Sequence, residues 1–139
     1  MNYPHIPSQL IDNSADLYFA SMPTRKPWIQ LELWRVGLIS VIEITSCKEC
    51  SGYQLPSLEI RAGNNRDLSI ETNTIFTNHV CAHYGGSEIA GVKIVVTCKP
   101  IAIIGKYVTI QRIDSGITQL KVAEVDIYGK STIAGTHIA

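Results

Sequence analysis

Apolar residues recur along this chain mostly at every second position, and the clearest such stretch runs from Pro27 to Gly63. Ile29, Leu31 and Leu33 alternate with Trp28, Gln30, Glu32 and Trp34, which predicts a half-buried strand. Gly37 interrupts that run, and Leu38 to Thr45 follows as a second strand rich in β-branched residues. After a loop holding Cys47 and Cys50, Leu58, Ile60 and Ala62 alternate with Ser57, Glu59 and Arg61 to give a third.

The rest of the chain repeats this style. Residues 1–27 carry four of the six prolines and little periodicity, and are expected to be loop. Asn64-Asn65-Arg66-Asp67 is a turn by composition, and a short strand is possible between Leu68 and Phe76. His79 to Gly86 is ambiguous. Val92, Ile94 and Val96 begin another strand that ends at Cys98 and Pro100. Apolar Ile101 to Ile104 leads into an alternating run from Lys106 to Ile113, and Asp114-Ser115-Gly116 is a turn. In the final strand Leu120 and Val122 keep one parity while Val125 and Ile127 keep the other. A one-residue shift of this kind predicts a β-bulge that re-aims Ala123 and Glu124. No helical periodicity or internal repeat competes, so the fold class is all-β, a sandwich of short strands.

Composition narrows the function. The 139 residues suit a single domain with a hydrophobic core, residues 130–139 forming a tail. Twelve basic and twelve acidic residues balance, which removes the electrostatic argument for nucleic acid. No apolar run approaches the ~20 residues of a transmembrane helix, and the first twenty residues do not read as a secretory signal. The four cysteines permit three disulfide connectivities and favour an oxidising compartment. Cys47 and Cys50 can close a local disulfide. A zinc site using Cys47, Cys50, Cys81 or His83 lacks a second C-x2-C or H-x3-H pair, and a redox pair lacks the helix that normally follows it. No nucleophile elbow, glycine-rich phosphate loop or carboxylate pairing suggests catalysis, so a non-enzymatic role is expected.

The motifs in the central stretch resemble a known family. Pro27-Trp28 ahead of an acidic-ended strand, the β-branched strand, the cysteine-bearing loop and Glu59-Ile60-Arg61-Ala62-Gly63-Asn64-Asn65 look like the fucolectins, or F-type lectins. These belong to the discoidin-like (F5/8 type C), galactose-binding-domain-like jelly rolls. Gly105-Lys106-Tyr107-Val108 and the run from Val122 to Gly129 are similar to the family's closing strands, so the likeness spans roughly residues 3 to 129. The family's first strand has no counterpart here, which predicts an exposed sheet edge that residues 131–139 could cover.

The resemblance implies a calcium loop at Gln9, Asp12, Ser14 and Ser21, closed by Ala123 and Glu124. A hard cation needs converging oxygens, some of them anionic, and Asp12 and Glu124 supply the charge. Ser14 replaces the family's usual asparagine. The resemblance also implies a Cys81–Cys98 disulfide tying two central strands. The family's fucose residues, by contrast, are missing: its Arg-x-Asp-x4-Arg pattern falls on Cys47-Lys48-Glu49 and Gln54, its histidine on the stretch from Ala20 to Lys26, and its adjacent cysteine pair on Cys50-Ser51. Only Glu49 keeps its chemical type. Lys48, Tyr53, Gln54, Arg25 and Lys26 are candidates for a different ligand site, with Arg61, Arg66 and the Trp28 ring beside them; each can equally be a solvated surface group.

The expectation is an extracellular, lectin-like module binding a glycan or glycoprotein, calcium-stabilised, able to form a homo-oligomer. An adhesion or recognition module for a protein or membrane-surface ligand is the alternative. An intracellular structural subunit with reduced cysteines is the third reading.

Overall fold

The computed structural model describes residues 5–6, 8–10, 19–21, 23–47, 50, 53–66, 78–86 and 91–131, and of 6, 8–10, 19–20 and 131 only the backbone. The described residues form eleven strands: β1 (His5–Ile6), β2 (Ser8–Leu10), β3 (Phe19–Ala20), β4 (Thr24–Arg25), β5 (Trp28–Ser46), β6 (Leu58–Gly63), β7 (His79–Tyr84), β8 (Lys93–Thr97), β9 (Ile103–Arg112), β10 (Ile117–Thr118) and β11 (Lys121–Ser131). There is no helix among them, and none long and apolar enough to cross a membrane.

The two strands expected on either side of Gly37 are one, β5. Its first part, Trp28 to Glu32, pairs with β9, and Leu31 to Leu33 pair with β2. Its second part pairs with β11 on one side and, on the other, with β9 at Gly37 to Ile39 and with β8 at Val41 to Thr45. The ladder with β9 breaks between Glu32 and Gly37, so the chain turns a corner at Leu33 to Val36. A straight strand of 19 residues would span on the order of 60 Å. Yet Pro27, just before β5, accepts a hydrogen bond from Arg112 N–H, while Ser46 at its far end pairs with Val122. Arg112 in turn reaches the Gln119 carbonyl, three residues from Val122. The strand is therefore doubled back, and its halves belong to two facing layers. Within one continuous nine-stranded sheet, one layer is β2, the first half of β5, β9, β6 and β7 and the other is β1 and β3, β11, the second half of β5, and β8, with Ile103 to Gly105 of β9 crossing to Gly37 to Ile39.

Apolar side chains of both halves meet between the layers. Ile29, Leu31 and Leu33 from one, and Ile42, Ile44 and Ile127 from the other, share one core with Ile60, Val108 and Ile110. Burying each such side chain is worth about 1.5–3 kcal/mol. The Cys81–Cys98 disulfide is present as the resemblance implied. It does not tie central strands, however: β7 lies at one end of the sheet order and β8 pairs only with β5, so the bridge joins the free margins of the two layers.

The bulge expected at Ala123 is there. Val122 pairs with Ser46 and Glu124 with Thr45, leaving Ala123 without an opposite number. A second break, between Tyr128 and Gly129, displaces Ser40. The amino-terminal segment departs from expectation. Residues 1–27 contribute four short strands, because what fixes them is ladder pairing along existing edges, which leaves no periodic trace in two or three residues. β1 and β3 pair along the margin of β11, so the edge expected to be bare is partly covered. The segment from Leu68 to Phe76 and the tail beyond Ser131 lie outside the described residues.

Alternation predicted Gln30 to be exposed. It is buried together with Thr109 and Gln111 on the outward side of the first layer, and its amide donates to Thr109 Oγ1 at 2.9 Å. Burial of polar side chains is tolerated when they are bonded in this way.

Candidate functional site

The doubling of β5 brings both its ends to one pole, and three loop segments gather there: 21–27, 47–57 and 112–121. Tyr53 is the hub. The Cys47–Cys50 disulfide closes the turn before it, and Tyr53 N–H donates to the Cys50 carbonyl at 2.6 Å. The Tyr53 hydroxyl donates to the Gln119 carbonyl at 3.3 Å and accepts from Lys121 N–H at 3.1 Å. Burial pushes its pKa up, so the phenol stays protonated and keeps this donor. The Lys121 ammonium lies 5.6 Å from the ring centroid, within cation–π range.

The 112–121 loop is held by its own ends. Arg112 donates to Asp114 from Nε at 2.8 Å and from Nη2 at 3.0 Å, and its Nη1 donates to the Gln119 carbonyl at 2.6 Å. This forked pair holds the Asp114 carboxyl below its ordinary range and raises the guanidinium's own pKa. The 21–27 segment is stitched on from several directions. Ser21 and Leu120 exchange backbone and hydroxyl bonds, Gln119 Nε2 donates to the Ser21 carbonyl, and β4 pairs with β10 as Arg25 opposite Ile117. Lys26 takes a left-handed φ of 47°, costly for a side-chain-bearing residue, and its ammonium donates to the Ile113 carbonyl at 2.8 Å.

Of the residues singled out from sequence, Arg25, Lys26 and Tyr53 are brought together. Gln54 follows directly in the chain, is exposed, and has a bonded partner. Lys48 and Glu49 lie between the two bridged cysteines and outside the described residues. Tyr53 takes a different part from the one expected: both bonding directions of its hydroxyl hold the pole, and its ring packs against the core with the Lys121 ammonium over it. Arg61 is not part of the group. It sits on β6 opposite Thr109, three residues from Arg112 along β9 and so about 10 Å away. There it binds Glu59 at 2.7 Å and the Asn78 carbonyl at 2.7 Å, fixing the sheet rather than facing the loops. Arg66 lies beyond Gly63 at the opposite pole, and Trp28 starts β5 opposite Gln111.

Sequence reading missed Arg112, Asp114, Gln119 and Lys121. The only local signal was an arginine closing an alternating strand two residues before an aspartate, a pattern common in turns.

The residues expected to hold calcium are partly described. Gln9 is in β2, its backbone opposite Glu32, while Asp12 and Ser14 lie outside the described residues. Ser21 Oγ already accepts Leu120 N–H at 2.8 Å. The Ala123 bulge leaves Glu124 exposed, with no partner among the described residues. No cluster of three or more His, Cys, Asp or Glu side chains suited to a metal occurs among the described residues. The described half thus offers one free carboxylate and one hydroxyl. Ser21 sits opposite Leu120, four residues from Glu124, so the two are not brought together as a cation site requires.

No family model and no curated protein matches the chain at the level of sequence. Several solved structures share its architecture. A fucolectin from striped bass (Morone saxatilis) serum aligns with a TM-score of 0.64 at 23% identity, over 81% of this chain and 35% of that one. The family 32 carbohydrate-binding module of NanJ from C. perfringens, solved with galactose, gives 0.60 at 15% identity, covering 88% and 93%. The corresponding module of AlyQ, in complex with 4,5-unsaturated mannuronic acid, gives 0.63 at 11% identity, covering 92% and 98%. The chain therefore has the galactose-binding-like jelly-roll fold shared by F-type lectins, family 32 carbohydrate-binding modules and F5/8 type C domains.

Proposed function

We propose that this protein is a non-catalytic carbohydrate-binding module whose ligand is held at the pole around Tyr53. One observation carries the reading: three separate loops are bonded to one another around an aromatic ring, with cationic donors at the rim. Sugars offer hydroxyl and ring oxygens as acceptors, and this arrangement supplies donors for them. Solved structures of the same fold include a fucolectin, a fucose-binding module and modules bound to galactose and to an unsaturated uronic acid, which supports the class of ligand. The missing fucose residues point away from terminal fucose. The two disulfides support a secreted, extracellular setting.

Calcium is the proposed structural partner, held by Asp12, Ser14, Glu124 and the Gln9 and Ala123 backbone, without Ser21. It would contribute charge neutralisation and loop order, and stabilise the fold by linkage.

A broad glycan array, run with calcium and with EDTA, tests both parts. Saturable binding to one glycan class supports the module, and its loss in EDTA supports the ion. Binding confined to terminal fucose would overturn the argument from the missing residues. No binding by a folded sample would transfer the assignment to protein recognition.

A further inference from the structure

The chain as a whole is neutral, but the pole is not. The described residues of segments 21–27, 47–57 and 112–121 carry four cations (Arg25, Lys26, Arg112, Lys121) against one carboxylate, Asp114. Asp114 is already taken by Arg112. Arg25, Lys26 and Lys121 form no ion pair among the described residues. Other described carboxylates are engaged elsewhere: Glu32 with Lys106, Glu43 with Lys93, Glu59 with Arg61 and His83, and Asp126 with His5. Glu124, three residues beyond Lys121 on β11, is about 10 Å along the strand and opposite Thr45.

Two of these cations, Lys26 and Lys121, are held by side-chain contacts, and the third by its backbone. Arg25 is fixed in backbone by its pairing with Ile117, Lys26 by its bond to the Ile113 carbonyl, and Lys121 by the Tyr53 hydroxyl on its N–H and the ring beneath its ammonium. An ammonium has three protons, and Lys26 spends one on the carbonyl, leaving two for a ligand. Arg25 lies opposite Ile117, four residues from Lys121, so the cations are spread along one edge of the pole rather than gathered at a point.

We propose that the saccharide taken at this pole is anionic, its carboxylates or sulfates spread along Arg25, Lys26 and Lys121 beside Tyr53. The proposal rests on the reading of this pole as a saccharide site, and adds the charge of the ligand. It accounts for a basic end on a neutral protein, which a neutral sugar does not require.

The test is titration of the full chain with three probes: an oligogalacturonate, a heparin oligosaccharide and a neutral galacto-oligosaccharide. Tightest binding to the first identifies a carboxylate and to the second a sulfate, and either supports the proposal. Binding should weaken several-fold as ionic strength rises from about 0.05 to about 0.2 M. Replacing two cations, Arg25→Gln with Lys121→Gln, should cost about tenfold or more in affinity with the melting temperature held. Arg35→Gln, at the corner of β5 on the opposite pole, should change nothing. Equal loss in Arg35→Gln would show diffuse charge attraction and overturn the proposal. Binding of the neutral probe as strongly as the acidic ones, insensitive to salt, would overturn it while leaving the saccharide reading intact. Failure of all three probes, with the glycan array also blank, would overturn both.

Discussion

Arg112 grips Asp114 through two parallel hydrogen bonds of 2.8 and 3.0 Å, while a third donor of the same guanidinium reaches across to the Gln119 carbonyl. One side chain thus closes the loop on which Lys121 and the Tyr53 contact depend. Arg112→Leu should leave the Asp114 carboxylate unpaired and the Gln119 carbonyl with the Tyr53 hydroxyl as its remaining donor, and cost about 1–3 kcal/mol in denaturant unfolding. Asp114→Asn, which keeps one acceptor oxygen, should cost less. Both should weaken ligand binding, since the loop is then free to leave Tyr53. Arg112→Leu with unchanged unfolding and unchanged binding would show that the loop is held by other means.

The two disulfides should contribute unequally. By chain entropy, the separations of 3 and 17 residues correspond to about 2 and about 3 kcal/mol respectively. Removing Cys81–Cys98 by paired alanines should therefore lower the melting temperature more, because it releases the margins of both layers. Removing Cys47–Cys50 should act more on binding, because that turn sets the position of Tyr53. Calorimetry and a binding titration on the two double variants separate these effects, and the same ranking in both measurements would contradict this division.

Two glycines give a sharp contrast. A Cβ at Gly129 would strike the Leu38 carbonyl oxygen, backbone that cannot step aside, whereas one at Gly85 meets nothing within 4 Å. Gly129→Ala should destabilise by about 1–3 kcal/mol. Gly85→Ala should be neutral or slightly stabilising, by up to about 1 kcal/mol, through the unfolded chain. Urea midpoints for the pair decide it, and an indifferent Gly129→Ala would refute the close approach of β11 to β5.

Acid should loosen the fold through two carboxyls. Burial pushes the Glu59 carboxyl up, but its bonds to Arg61 and His83 outweigh this and leave it below its ordinary 4.5. The bond to Arg112 likewise holds Asp114 below 3.8. With both pKa values depressed in the folded state, the unfolded chain binds more protons as the pH drops. The stabilisation is present above about pH 4.5 and is lost as pH falls through the folded values. Both sites are partly exposed, so each should contribute under about 1 kcal/mol. Glu59→Gln and Asp114→Asn should each flatten the stability profile between pH 5 and 2, by about that amount. An unaltered slope in both would remove these groups from the acid response.

Much of this architecture was legible from periodicity. The burial of Ile29, Leu31 and Leu33 and the existence of β6, β8, β9 and β11 follow from alternation, although β9 starts three residues earlier than its alternating run and β11 continues into the expected tail, and the parity slip between Val122 and Val125 located the Ala123 bulge. What alternation could not show was connection across space. A strand that turns a corner keeps its pattern on both sides, so Gly37 looked like a terminus. Strands as short as β1, β3 and β4 have no period to detect. Gln30 looked exposed by parity, and the bond to Thr109 across the ladder, which makes its burial tolerable, has no trace in the local sequence. The candidate site was half visible: Arg25, Lys26 and Tyr53 stood out, while Arg112 and Asp114 looked like an ordinary turn.

The doubled β5 has a mechanical consequence. Because the same backbone forms part of both layers, and Cys81–Cys98 fastens their opposite margins, the molecule resembles a book bound along its spine and clasped at its fore-edge. The covers can neither slide nor part without breaking a covalent bond or a run of ladder hydrogen bonds. The described loops around Tyr53 hang from one end of this frame, so changes to their sequence can alter the surface they present without disturbing the ladders that hold the two layers together.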